Sequence, residues 1–239
     1  MSKRVAVVQS NYIPWKGYFD LIQGVDEFIL LDDVQYTRRD WRNRNAIKTK
    51  GGLLWLTIPV QAKGKYCQKM NETVVSDTGW NSQHWATITH SYSKAPFFRS
   101  VYTEALEELY RNCQERYLSR VNFVFLQTIC HLLGIRTKLS WSGDYRLVEG
   151  KTERLVSLCK QANASVYLSG PSARSYMDPE QFTKAGIQLS YFDYAGYPEY
   201  HQLFPPFEHR VSIIDLLLNE GPNASRYMKS FPKGNGASW

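Results

Sequence analysis

The chain has few cysteines: four in 239 residues, at positions 67, 113, 130 and 159, with no C-x-x-C pair among them. That spacing gives no basis for structural zinc. A chain this long can bury a core without disulfides, so reduced thiols are the expectation. No stretch reaches the roughly 18 consecutive apolar residues of a membrane helix. The opening Met1-Ser2-Lys3-Arg4 leads into an apolar run too short for a signal-peptide core, so a cytoplasmic location is expected. Also missing are G-x-G-x-x-G, the P-loop, H-E-x-x-H and G-x-S-x-G. The ordinary dehydrogenase, kinase, zinc-protease and serine-hydrolase readings lose most of their support with them. There is no internal repeat.

What is present is a globular composition, with 43% hydrophobic and 21% charged residues, and a net charge of +7 that favours anionic partners. Sixteen tyrosines and seven tryptophans are many, and rings with polar tips serve both cores and pockets for sugars or bases. The densest basic cluster is Arg38, Arg39, Arg42, Arg44, Lys48 and Lys50, with Asp40 inside it and Asp32 and Asp33 beside it. That mixture suits a pyrophosphate pocket better than a uniform nucleic-acid stripe, and a solvated loop equally well on charge alone.

Short β-branched runs predict strands at 4–8, 27–31, 53–60, 136–141, 166–169 and 187–194, the third ending near a sheet edge because of Pro59. Helical spacing predicts helices at 15–23, 80–92, 99–113, 118–133, 152–163, 178–185 and 212–219. Residues 32–52 read as polar and aperiodic, and 64–78 as loop with a short strand. Thr152 and Ser212 are expected to cap their helices, and Pro179 fits a first-turn proline. The expectation is an α/β fold with a mostly parallel sheet, flanking helices and a lateral helical segment. It would form one domain over 1–232, with the helical insertion at about 80–134 and a disordered tail over 233–239.

Five segments carry chemistry. The run from Gln9 to Phe19, QSNYIPWKGYF, follows the first strand at its carboxyl end, where open α/β sheets place ligands. The run from Asp32 to Asn45 ends the second strand beside it; its carboxylates could bind Mg²⁺ or accept a proton, and Arg38 and Arg44 could clamp phosphates. In the third, His84 and His90 lie about 240° apart around a helix and cannot share a metal ion. His84 shares a face with Trp80, Ile88 and Tyr92, the usual setting of a core histidine, yet it is the best general-base candidate. Ser169 sits in Tyr167-Leu168-Ser169-Gly170-Pro171, read as a binding loop. Tyr200-His201-Gln202 and 207–215 close the set, with Ser212 and Asp215 spaced as a capping box.

Together these segments resemble the WbqC-like family. The resemblance runs through 9–19, 32–48, 53–60, His84 with 92–97, 167–170 and 200–221, in order and across nearly the whole chain. Position 10 is Ser where the family often has Pro. A weaker likeness runs to nucleotidylyltransferases, although the first turn lacks their H-x-G-H motif. The resemblance implies a role in bacterial surface-polysaccharide loci beside enzymes of nucleotide-linked amino sugars. The expected function is a transferase that acylates, or aminoacylates with a group such as glycyl, the amine of such a sugar. An adenylate-forming ligase using ATP and Mg²⁺ on the same sugar, or a noncatalytic glycan- or complex-binding protein, are the alternatives. The acyl donor is not specified, and a tRNA-linked donor would use the basic surface.

On that reading Arg38, Arg44 and Lys48 hold phosphates, and Tyr12, Trp15, Tyr18 and Trp41 stack the base or sugar. Gln9, Asp32, Ser169 and Gln202 contact substrate, and Asp33 or His84 takes the proton from the attacking amine. A buried, mutually close Asp33, Arg44 and His84 is the expectation for the enzyme. An exposed aromatic platform without that cluster is the expectation for the binder.

Overall fold

A computed structural model describes residues 2–232; the tail expected over 233–239 lies outside them. Five strands form one parallel sheet: β1 (Arg4–Val8), β2 (Glu27–Leu30), β5 (Lys138–Trp141), β6 (Val166–Ser169) and β7 (Gln188–Tyr191), in the order β5-β2-β1-β6-β7. Every pairing in this sheet is parallel, so the five carboxyl ends share one edge. The mixed α/β class and mostly parallel sheet are as the sequence pattern predicts.

Both faces of the sheet are covered. Alternation along β1 sends Ala6 into one core and Val5 and Val7 into another. The first core takes α1 (Lys16–Gln23), α2 (Trp80–Tyr92), α3 (Val101–Asn112), α4 (Leu118–Leu132) and α7 (Ile213–Glu220). The second takes Leu155, Leu158 and Cys159 of α5 (Lys151–Gln161) and Phe182 of α6 (Pro179–Lys184). The chain leaves β1 through α1 on one face and enters β6 through α5 on the other. The switch point of this doubly wound sheet therefore lies between β1 and β6, and a crevice opens there at the carboxyl edge. At the opposite edge, buried Glu27 accepts from Lys3 at 2.7 Å, Lys138 at 3.0 Å and the Ser140 hydroxyl at 2.6 Å.

Some local expectations are corrected. Residues 44–49 form β3 (Arg44–Thr49), paired antiparallel with β4 (Gly52–Thr57) as a separate hairpin. The polar look of β3 misleads because the Asn45 amide is buried against the carbonyls of Tyr12 and Ile13. Thr152 does not cap α5: its hydroxyl accepts the Asp178 amide, and the N-cap is Gly150. Ser212 does cap α7. Asp215, however, forms no capping box, because its carboxylate accepts from Tyr92 and Tyr200 at 2.7 Å each and from Gln202 at 2.9 Å. The chain end is fastened in a similar way: buried Asp20 accepts the Tyr197 hydroxyl and the amides of Lys229 and Ser230.

Candidate functional site

A cleft of about 790 Å³ occupies the switch point. The turn after β1 gives it Gln9 and Asn11, the turn after β6 gives Ser169, Gly170 and Ser172, and the start of α5 gives Gly150, Lys151 and Arg154. Trp15, Tyr18, Tyr176 and Tyr194 supply rings, and Arg42 reaches in from the segment before β3. Among the described residues neither a carboxylate nor an imidazole lines it, and Arg42, Lys151 and Arg154 are its cations. The first turn of α5 has no side-chain cap, but it carries Glu153, whose carboxylate folds back over Gly150 and accepts from its own backbone amide. Arg42 is held by the Asn11 amide oxygen and, at 3.8 Å, by Asp40, while its Nε is buried with no partner among the described residues.

The turn that shapes this cleft is strained and over-determined. Ile13 has φ of 37°, a left-handed conformation costly for a β-branched residue. It persists because Asn45 binds the carbonyls of Tyr12 and Ile13, and the Tyr12 amide donates to the Trp41 carbonyl at 3.0 Å. Gly17 is required by the ring before it: a Cβ there would stand 2.3 Å from the Trp15 indole. Ser10 is fixed below the cleft, its amide and hydroxyl both donating to Asp32 at 2.8 and 2.7 Å. Burial raises the Asp32 carboxyl to about 6, opposed by those two bonds and by Arg42.

Of the residues expected at the site, Gln9, Trp15, Tyr18 and Ser169 line the cleft, and Tyr18 also ties the turn by donating to the Gln9 carbonyl at 2.9 Å. Trp41 lines a smaller adjoining pocket. Asp32 stands beneath the turn. The others lie elsewhere. Arg38 is exposed, bonded to the Ala62 carbonyl and packed on the Tyr66 ring. Arg44 donates to the Arg39 carbonyl at 2.6 Å, with its guanidinium 4.5 Å from the Trp55 ring centre. Lys48 bonds the Pro206 carbonyl and, at 3.3 Å, Gln202, which completes the network around Asp215.

His84 is a core residue, bonded to Tyr12 at 2.9 Å and packed among Trp80, Tyr12 and their neighbours. Tyr12 is wholly buried with it and also bonds Tyr110. Asp33 accepts from the Ser142 hydroxyl, and its other oxygen is buried with no partner among the described residues. No hydrogen bond or ion pair joins Asp33, Arg44 and His84 among the described residues. Trp41 and Trp55 stand 39% and 43% exposed with ring centres 5.3 Å apart, so the aromatic platform exists. The cleft cations Lys151 and Arg154 were not anticipated. The signal for them was the crossover itself, since a helix leading into a strand beside β1 must start at this edge.

A family model described as the WbqC-like protein family matches residues 9–227. The chain belongs to this family. It is 52% identical over 227 residues, 95% of its length and 98% of the relative's, to the uncharacterized protein Rv1507c of Mycobacterium tuberculosis. No solved structure matches. Membership in the WbqC-like family suggests a role in surface polysaccharide biosynthesis. Among the described residues no helix is long and apolar enough to cross a membrane.

Proposed function

We propose that this WbqC-like protein is an enzyme that binds a nucleotide-linked amino sugar in the switch-point cleft and acylates its amine. The observation that carries the reading is the cleft's charge and place: Arg42, Lys151 and Arg154 line one crevice walled by rings. A diphosphate fits those donors, as guanidinium and ammonium groups bind phosphate oxygens directly. The neutral amine attacks the acyl carbonyl, a C–N bond forms, the bond to the leaving group breaks, and the nitrogen's proton leaves with that group or through water. Nearby cations favour the neutral, nucleophilic form of the amine, because like charge disfavours an ammonium. His84 and Asp33 do not line the cleft, so neither is assigned the base.

A thermal-shift panel tests the reading. UDP- or dTDP-linked amino sugars at a hundred times their dissociation constant should add about 2.7 kcal/mol of stability. Incubation with an acyl thioester should then give an N-acylated sugar by mass spectrometry. Stabilisation by glycan oligomers and by no nucleotide sugar would favour a second reading, a noncatalytic glycan-binding protein. That reading has its own support in the exposed Trp41–Trp55 platform and the dispersal of Asp33, Arg44 and His84.

A further inference from the structure

A second, smaller chamber adjoins the cleft. It has about 180 Å³ and shares Asn11 and Trp15 with the cleft, so the two adjoin at those side chains. Trp15 and Trp41 line it with Pro14, and Arg210 stands in the lining with its head largely exposed. Asn45 also lines it, but its side chain is committed to the backbone of Tyr12, Ile13 and Ala46. Asn11 gives its amide oxygen to Arg42 and Arg210 pairs with Glu208 at 3.2 Å, so the groups left for an occupant are the Asn11 amide nitrogen and the outer N–H groups of Arg210.

Both rings are braced from behind. Trp15 packs on Tyr194 at 5.4 Å and Tyr197 at 5.6 Å, and Gly17 leaves room for it. Trp41 packs on Trp55, which in turn carries the Arg44 guanidinium at 4.5 Å. Such rings are preorganised surfaces for a flat C–H face, which lowers the ordering cost of binding. At roughly 30 Å³ per water the chamber has the room of about six waters, enough for a single ring and too little for a nucleoside with its phosphates.

We infer that the chamber between Trp15 and Trp41 is the sugar subsite, receiving the pyranose of a nucleotide-linked sugar whose diphosphate lies beside Arg42. The inference rests on the proposed function and deepens it. The shared Asn11 supports the join, because its side chain lines both cavities and binds Arg42 of the cleft. The nucleoside then extends from the diphosphate toward Tyr176, another ring of the cleft wall. A pyranose offers an apolar face to the indoles and hydroxyl edges to Asn11 and Arg210.

The test compares UDP and dTDP with their glucose conjugates by calorimetry, on the wild-type chain, Trp41→Ala and Trp41→Phe. Trp41 is 39% exposed and its fold-supporting bond to Tyr12 is made by its backbone, so both variants should fold. In the wild type each conjugate should bind about tenfold tighter than its diphosphate. Trp41→Ala should erase that gain while leaving the diphosphate affinity unchanged, and Trp41→Phe should restore most of it. Equal binding of diphosphate and conjugate in the wild type would overturn the inference, as would a gain that survives in Trp41→Ala. Loss of diphosphate affinity in Trp41→Ala would place the base in the chamber and overturn it too. Binding of neither ligand class would instead remove the proposed function beneath it.

Discussion

The imidazole Nδ1 of His84 lies 2.9 Å from the Tyr12 hydroxyl, and both side chains are buried in the core that carries α2 and α4. This bond joins two of the best-marked sequence segments, yet it does so for packing. Burial lowers the His84 pKa from 6.5 to about 4, opposed by a bond to the Thr57 backbone. A histidine depressed in this way contributes its full stability above the unfolded value. That contribution is lost as pH falls from about 6.5 through about 4, for a total of ~3 kcal/mol. His84→Asn should lose about 2 kcal/mol at pH 7 through the lost packing and hydrogen bond. It should also flatten the acid limb between pH 6.5 and 4. Chemical denaturation across that range checks both, and nucleotide-sugar affinity per folded molecule should not change.

Lys151→Gln and Arg154→Gln should each weaken binding of UDP or dTDP about tenfold, as each removes a charged donor from the cleft. Neither side chain forms an ion pair among the described residues, so the melting temperature should stay close to wild type for Lys151→Gln and fall modestly for Arg154→Gln, which loses the Nε bond to the Val148 carbonyl at 3.0 Å. Calorimetry at low and high salt is the check: the wild type should be more salt-sensitive than either variant.

Arg44→Lys should leave nucleoside-diphosphate affinity unchanged, because Arg44 braces Trp55 on the hairpin and does not line the cleft. Its cost should appear as roughly 0.5–1 kcal/mol of stability from the weakened guanidinium–indole contact. Thermal melts and a binding isotherm on the same sample separate the two quantities.

Gly17→Ala places a methyl 2.3 Å from the Trp15 ring, so the indole must leave its position between cleft and side chamber. The expected results are a shift in tryptophan emission, a stability loss of about 1–3 kcal/mol from overpacking, and weaker binding of nucleotide sugars. Unchanged emission and affinity would show that the ring position does not matter.

The sheet was readable in the sequence because β1, β2 and β6 are short apolar runs, buried over most or all of their length as parallel strands usually are. β3 was not, since its buried positions include Asn45 and Lys48, whose polar heads find partners only in the folded chain. The same limit applied to the site. The turn after β1 was found from its place at a strand end. Among the clustered arginines, however, charge could not distinguish Arg42, which turns into the cleft, from Arg38 and Arg44, which stack on rings outside it. Lys151 and Arg154 lie more than a hundred residues from that turn and reach it only because α5 crosses to β6 beside β1.

The most direct test of the central claim is hydrogen–deuterium exchange with and without a saturating UDP- or dTDP-linked amino sugar. The cleft predicts that protection appears together in residues 9–11, 150–154 and 170–172, three segments far apart in sequence that meet only at the switch point. Protection confined to the hairpin at 52–57 and the platform around Trp41, or none in the first three segments, would contradict it.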